Sequence, residues 1–142
     1  LTQYPRNYLL WFELAQMYSD LGNKTKALAA VDAVDKLRQR HLRGYEHLPE
    51  EKVLYYRATI QFWYNDLDLA LQNFIRVTAK ANELDLNTGV TAWVRLGQIH
   101  DLKGQRQPAI DAYRKAIAYA PGSYRAKEAE GYLRNKYERK RG

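Results

Sequence analysis

Residues 93–121 read WVRLGQIHDLKGQRQPAIDAYRKAIAYAP. The large apolar Trp93 is followed by Leu96 and the small Gly97, then by His100, Gly104, Ala109, Tyr113, Ala116 and Pro121. Trp93, Gly97 and His100 stand near i, i+4 and i+7, which is one face of a helix. Gly104 offers the left-handed conformation that ends a helix. Pro108 falls near the start of a second helix, where no amide hydrogen is needed, and Pro121 falls at its end. The stretch therefore predicts two helices joined by a tight turn. The small residue between them lets the pair approach closely.

The same steps recur twice upstream. Ala15, Tyr18, Gly22 and Ala27 repeat the intervals of Gly97, His100, Gly104 and Ala109, and so do Ala58, Gln61, Asn65 and Ala70. Trp11 and Leu54 precede their small residues as Trp93 does, and Val31 and Val34 or Phe74 and Val77 follow as Tyr113 and Ala116 do. Asn65 takes the glycine position of the middle unit, and Asn is the next most tolerant residue there. Three helix pairs follow, and a final helix is expected from Tyr124 to Arg139 behind the cap Ser123. The expectation is an all-α chain of about seven helices, with no sheet.

These residues resemble the tetratricopeptide repeat family, whose pattern residues 93–121 follow except at His100, where Tyr is usual. The first unit keeps Trp11, Leu14, Ala15, Tyr18, Gly22 and Ala27. The second is degenerate, with Arg57 and Gln61 at customarily apolar places. The resemblance implies one α-solenoid domain over 1–142, with repeats at about 8–43, 50–84 and 90–121 and a C-terminal capping helix at about 123–139. The family period is about 34 residues, whereas Ala27 to Ala70 is 43 and Ala70 to Ala109 is 39. The first addition is read as a helix from Lys24 to Arg43 followed by a loop at 44–49. The second is read as a helix through Ala81 followed by a loop around 85–89. Leu1 to Pro5 read as the tail of an earlier repeat, which makes the chain the C-terminal part of a longer array.

Composition narrows the function. The chain has 142 residues, 46% hydrophobic and 27% charged, with a mean hydropathy of −0.65 and no apolar run near the ~18 residues of a membrane span. No cysteine is present, which removes disulfides, Cys-ligated zinc and thiol catalysis and leaves cytoplasmic and periplasmic settings equally compatible. No phosphate loop, nucleophile elbow or dinucleotide fingerprint occurs. His41, His47 and Glu46 cluster near Gly44 without zinc-site spacing. The expectation is a non-enzyme with no cofactor and no metal. Net charge is +7, of which +4 lies in the last 20 residues. That tail is read as a solvated helix end whose cations suit the helix dipole.

In this family the first helices of successive units line a concave groove. Carried over by position, the groove takes Leu9, Phe12, Glu13, Gln16 and Asp20 from the first unit. The second gives Lys52, Tyr55, Tyr56, Thr59, Phe62 and Trp63, and the third Thr91, Val94, Arg95, Gln98 and Asp101. The candidate peptide-binding residues are Phe12, Gln16, Tyr55, Tyr56, Thr59, Trp63, Arg95, Gln98 and Asp101. Aromatic anchors beside polar groups suit a peptide or protein segment. Against this, the helix around 53–64 is apolar nearly all round, as buried helices are. Chaperone adaptors of the family grip a carboxylate with Lys and Asn. Of the matching positions Phe12, Gln16, Tyr56, Thr91 and Arg95, only Arg95 fits, which argues against such a clamp. The expected partner is a protein or peptide, with self-association through the N-terminal end as a further expectation. The alternatives are nucleic acid held by the basic tail and a small-molecule sensor. Nucleic acid is disfavoured because the polar sets do not repeat as a base-reading code would.

Overall fold

The computed structural model describes residues 8–139. Seven α-helices follow one another: α1 (Tyr8–Asp20), α2 (Lys24–Gln39), α3 (Glu50–Trp63), α4 (Leu67–Ala79), α5 (Leu86–Leu102), α6 (Arg106–Tyr119) and α7 (Tyr124–Arg134). No strand occurs among the described residues. The chain is an all-α solenoid, with α1/α2, α3/α4 and α5/α6 as antiparallel pairs and α7 as the cap. The expected Leu1–Pro5 segment lies outside the described residues.

The turns form where their sequence requires. Gly22 and Gly104 have φ of +80° and +75°, and Asn65 takes φ +64° at the equivalent place. Asn23 caps α2 by accepting the Lys26 amide, and Ser123 caps α7 by accepting that of Ala126. Glu50 and Glu51 lie in the first turn of α3, where the helix dipole favours negative charge.

Inside each pair the small residues set the spacing. Ala15, Ala27, Ala58, Ala70 and Ala109 are all buried. Leu54, Phe74, Val77, Leu96 and Ile99 form the central core, with Trp93 packed against it. The degenerate positions of the middle unit are satisfied by specific partners. Arg57 reaches Asp32 on α2 at 2.8 Å. Buried Gln61 accepts a hydrogen bond from Asn73 of α4 at 2.8 Å. A polar pair thus replaces the usual apolar contact without leaving an orphaned group.

Four local expectations are corrected. Helix α2 stops at Gln39 rather than Arg43, because His41 adopts φ +51° and breaks the helix. Helix α4 ends at Ala79, and Ala81 belongs to a separate 3-10 turn, Ala81–Glu83. Residues 86–89 form the first turn of α5 rather than a loop, because Asp85 caps it by accepting the Thr88 amide at 3.1 Å. Helix α7 stops at Arg134 instead of Arg139, with Asn135 extended at φ −135°, ψ 116°. The 44–49 connection is a loop as expected, though an anchored one: Tyr45 is fully buried and meets the Tyr8 ring at 6.2 Å.

Candidate functional site

The first helices form one continuous face. Phe12 of α1 stacks on Tyr56 of α3 with ring centroids 3.9 Å apart. Arg95 of α5 lies 5.2 Å from the centroids of both Phe62 and Trp63 of α3. The candidate residues are therefore brought to one side of the solenoid, but they divide into an open half and a covered half.

The open half runs along α1 and α3. Gln16 is exposed and donates to Asp20 at 2.8 Å. Tyr55, Tyr56 and Thr59 are half-buried, and Trp63 is 48% exposed. Thr59 turns its hydroxyl to its own helix, donating to the Tyr55 carbonyl at 2.7 Å. Phe12 is buried beneath Tyr56 and belongs to the core. Burial raises the Tyr55 hydroxyl above its usual range and pushes that of Tyr56 up to about 12. Both remain neutral hydrogen-bonding groups across the physiological range. The Lys52 ammonium sits 5.7 and 5.6 Å from these two rings and is held by Asp85 at 2.8 Å. Desolvation works against the Asp85 carboxylate, but the bonds from Lys52 and Thr88 outweigh it and keep its pKa low.

The covered half is the face of α5. Thr91, Arg95, Gln98 and Asp101 are all buried. Helix α7 covers its start, where Arg125 donates to Thr91 at 3.3 Å. Arg95 donates to Gln98 at 2.9 Å, and its Nε is buried without a partner. Burial and the nearby Arg125 charge push the Arg95 pKa down. Asp101 accepts from Arg106 at 2.9 Å, from the Tyr113 hydroxyl at 2.8 Å and from the Tyr137 amide at 2.9 Å. Burial first, then that bond to Asp101, raises the Tyr113 hydroxyl far above its normal range. Arg106 also donates to the Tyr132 and Leu133 carbonyls, tying down the last turn of α7.

Beyond α7 the chain turns back over this face. Tyr137 stacks near Phe62 and meets Tyr132 edge-on. The Arg139 guanidinium lies 4.0 Å from the Phe62 centroid and 5.2 Å from that of Trp63, and it donates to Asn65. Sequence reasoning missed Tyr137, Arg139 and Asn65 as parts of the face. Asn135, a residue common where helices stop, is the signal that separates this segment from α7. Lys140 to Gly142, the end of the basic tail, lie outside the described residues. His41 and His47 are both exposed. Glu46 turns to its own loop and accepts the Gly44 amide at 2.7 Å. Among the described residues no group of three His, Cys, Asp or Glu is placed to hold a metal ion.

A stack of helix pairs with a laterally continuous inner face defines a helical-repeat protein. Residues 8–41 and 90–123 each match a tetratricopeptide repeat family model, so the chain carries tetratricopeptide repeats at these two places. Among solved structures, the crystal structure of MamA is similar, with a TM-score of 0.62 and 23% identity. The match covers 94% of this chain and 71% of that one, and at this identity it speaks to the fold alone. Comparison with curated proteins gave no match. Tetratricopeptide repeats generally mediate protein–protein interaction and are typically non-catalytic scaffolds. No helix among the described residues is long and apolar enough to cross a membrane.

Proposed function

We propose that this chain is a non-enzymatic scaffold that binds a peptide or protein segment along the inner face of α1, α3 and α5. The observation that carries this reading is Trp63, 48% exposed on that face and flanked by the half-buried Tyr55, Tyr56 and Thr59. An exposed Trp among fixed aromatic neighbours is the residue type most enriched at binding hot spots. Gln16 and Asp20 supply polar contacts at its rim. The candidate residues Arg95, Gln98 and Asp101 serve as the floor of the site, since each is buried. Phe12 supports Tyr56 from beneath rather than touching a partner. Self-association through the exposed Leu9, Met17 and Leu21 of the first pair belongs to the same reading.

The arrangement gives less support to a nucleic-acid site on the tail, because Arg139 is engaged with Phe62, Trp63 and Asn65. A test uses a phage-displayed random peptide library selected on the intact chain. Selected peptides should lose binding at least about ten-fold to Trp63→Ala. They should be indifferent to Ile75→Ala, an exposed residue of the outer helix α4. Equal effects of the two substitutions would end the groove reading.

A further inference from the structure

Asn135 leaves α7 in an extended conformation, and residues 136–139, outside any regular element, lie on the inner face like a bound peptide. Their side chains alternate as an extended strand requires. Tyr137 and Arg139 turn inward and are half-buried, while the side chains of Lys136 and Glu138 are 61% and 74% exposed. The inward pair occupies the floor and wall of the proposed site. Tyr137 sits by Phe62, and its amide donates to Asp101 at 2.9 Å. Arg139 covers Phe62 and Trp63.

The hold is incomplete. Nη2 of Arg139 is buried and has no hydrogen-bond partner, a condition that costs free energy relative to a fully paired guanidinium. Only one backbone hydrogen bond among those described, from Tyr137 to Asp101, fastens the extended segment to α5. A tethered occupant of this kind acts at an effective concentration of roughly millimolar. It can therefore fill a groove for which its own affinity is weak, and a better-paired segment can replace it.

We infer that this segment is an intramolecular stand-in for the partner. The half-groove between α3 and α5 accepts an extended peptide with the pattern aromatic–any–arginine, and the chain's own Tyr137–Arg139 must leave before such a peptide enters. The inference rests on the groove reading above and names the chemistry of its occupant. The aromatic ring fills the space between Phe62 and Tyr132, the amide of that residue meets Asp101, and the guanidinium two residues on lies over Phe62 and Trp63.

The test uses a fluorescein-labelled peptide, Leu-Arg-Asn-Lys-Tyr-Glu-Arg, and a control in which its Tyr and Glu are exchanged. Exchange moves the ring to the opposite side of the strand. Binding is measured on the full chain and on Tyr137→Ala/Arg139→Ala, with helix content and melting recorded for each. A tail closed in nine molecules of ten masks the groove about ten-fold. The double variant should thus bind the first peptide at least about ten-fold more tightly than the unaltered chain, and the control should bind at least about ten-fold more weakly than the first peptide. Should the double variant fail to fold, Arg139→Ala alone serves, because it leaves the Tyr137 ring beside Phe62 and the Tyr137 amide on Asp101. Adding Trp63→Ala should abolish the gain. Folded variants that bind no better than the unaltered chain, or that bind both peptides equally, overturn the inference. If library-selected peptides still depend on Trp63 in that case, the groove reading stands and only the stand-in falls.

Discussion

Gly97 of α5 lies so close to Tyr113 of α6 that a β-carbon at position 97 would fall 2.3 Å from the Tyr113 ring. The absence of a side chain lets the ring drop between the helices, where its hydroxyl reaches Asp101. Gly97→Ala gains about 1 kcal/mol of helix propensity but forces an overlap costing about 1–3 kcal/mol. Because Tyr113 is pinned at both ends, the overlap should win and the melting temperature should fall. Gly131 in α7 has no atom within 4 Å of a β-carbon. Gly131→Ala should therefore raise the melting temperature, by about 0.5–1 kcal/mol of stability.

Asp101 joins three elements, and its removal should be felt at all three. Asp101→Ala leaves the Tyr113 hydroxyl buried without an acceptor and takes the carboxylate from Arg106. Breaking a buried pair costs about 3–5 kcal/mol. The Arg106 side chain is 34% exposed, so water recovers part of its loss, and about 2–3 kcal/mol is expected. Denaturant unfolding gives the cost. Amide exchange at Tyr137 should accelerate in the same variant, since Asp101 is the acceptor of that amide.

The repeat itself was legible because it rests on residues whose roles are local. Gly22, Asn65 and Gly104 announce their turns, and Ala15, Ala58 and Gly97 announce the close approaches, whatever surrounds them. The end of α2 was not legible, because His41 carries no outward sign that it adopts positive φ. Burial in the groove was legible only in part. Position identified Arg95, Gln98 and Asp101 as inner-face residues, but their cover comes from α7 and from residues 135–139. Nothing local to α5 states that cover. Tyr137 lies four residues after Leu133, so its spacing also fits a continued helix, and only Asn135 speaks for the bend.

Alkaline titration should find six tyrosines that hold their protons more tightly in the folded chain. Burial raises Tyr45, Tyr55, Tyr56, Tyr113, Tyr119 and Tyr132 above the usual value. A tyrosine whose pKa is higher folded than unfolded keeps its proton more tightly in the native state. Its contribution is complete below about pH 10 and is lost as pH rises through the folded value. Phenolate absorbance from these six should therefore appear later than in the unfolded chain, with Tyr56 ionising only around pH 12, together with loss of helical circular dichroism. A single transition at pH 10 with helix intact would contradict the burial of Tyr56 and Tyr113.

The first helix pair should make the chain self-associate. In the third unit Trp93 and Leu96 pack against Phe74 and Val77 of the preceding α4. The residue equivalent to Leu96, Leu14, lines a surface hollow with Tyr18, Lys26, Ala29 and Ala30. Leu9, Met17 and Leu21 are also exposed. Apolar surface of this extent tends to be covered by a partner. Sedimentation should show association that grows with concentration and weakens in Met17→Lys/Leu21→Lys. Strictly monomeric behaviour at high concentration would remove this expectation.

Truncating Tyr55 and Trp63 should give opposite results. The Tyr55 ring meets Tyr56 edge-on at 5.3 Å and Phe74 at 6.2 Å, so it joins the inner face to the central core. Tyr55→Ala should cost about 3 kcal/mol of folding stability, as loss of a packed aromatic does. Trp63 has 48% of its surface in solvent, and its described ring contacts are Phe62 and the guanidiniums of Arg95 and Arg139. Trp63→Ala should cost no more than about 1 kcal/mol of stability. Loss of a true anchor should nevertheless remove about 2 kcal/mol or more of peptide binding. Thermal melts and titration of the library-selected peptides on both variants decide the matter. A near-wild-type melt with lost binding for Trp63→Ala places the anchor on the inner face. A collapsed melt for Trp63→Ala would assign the ring to the core, and the binding surface would then lie elsewhere on the solenoid.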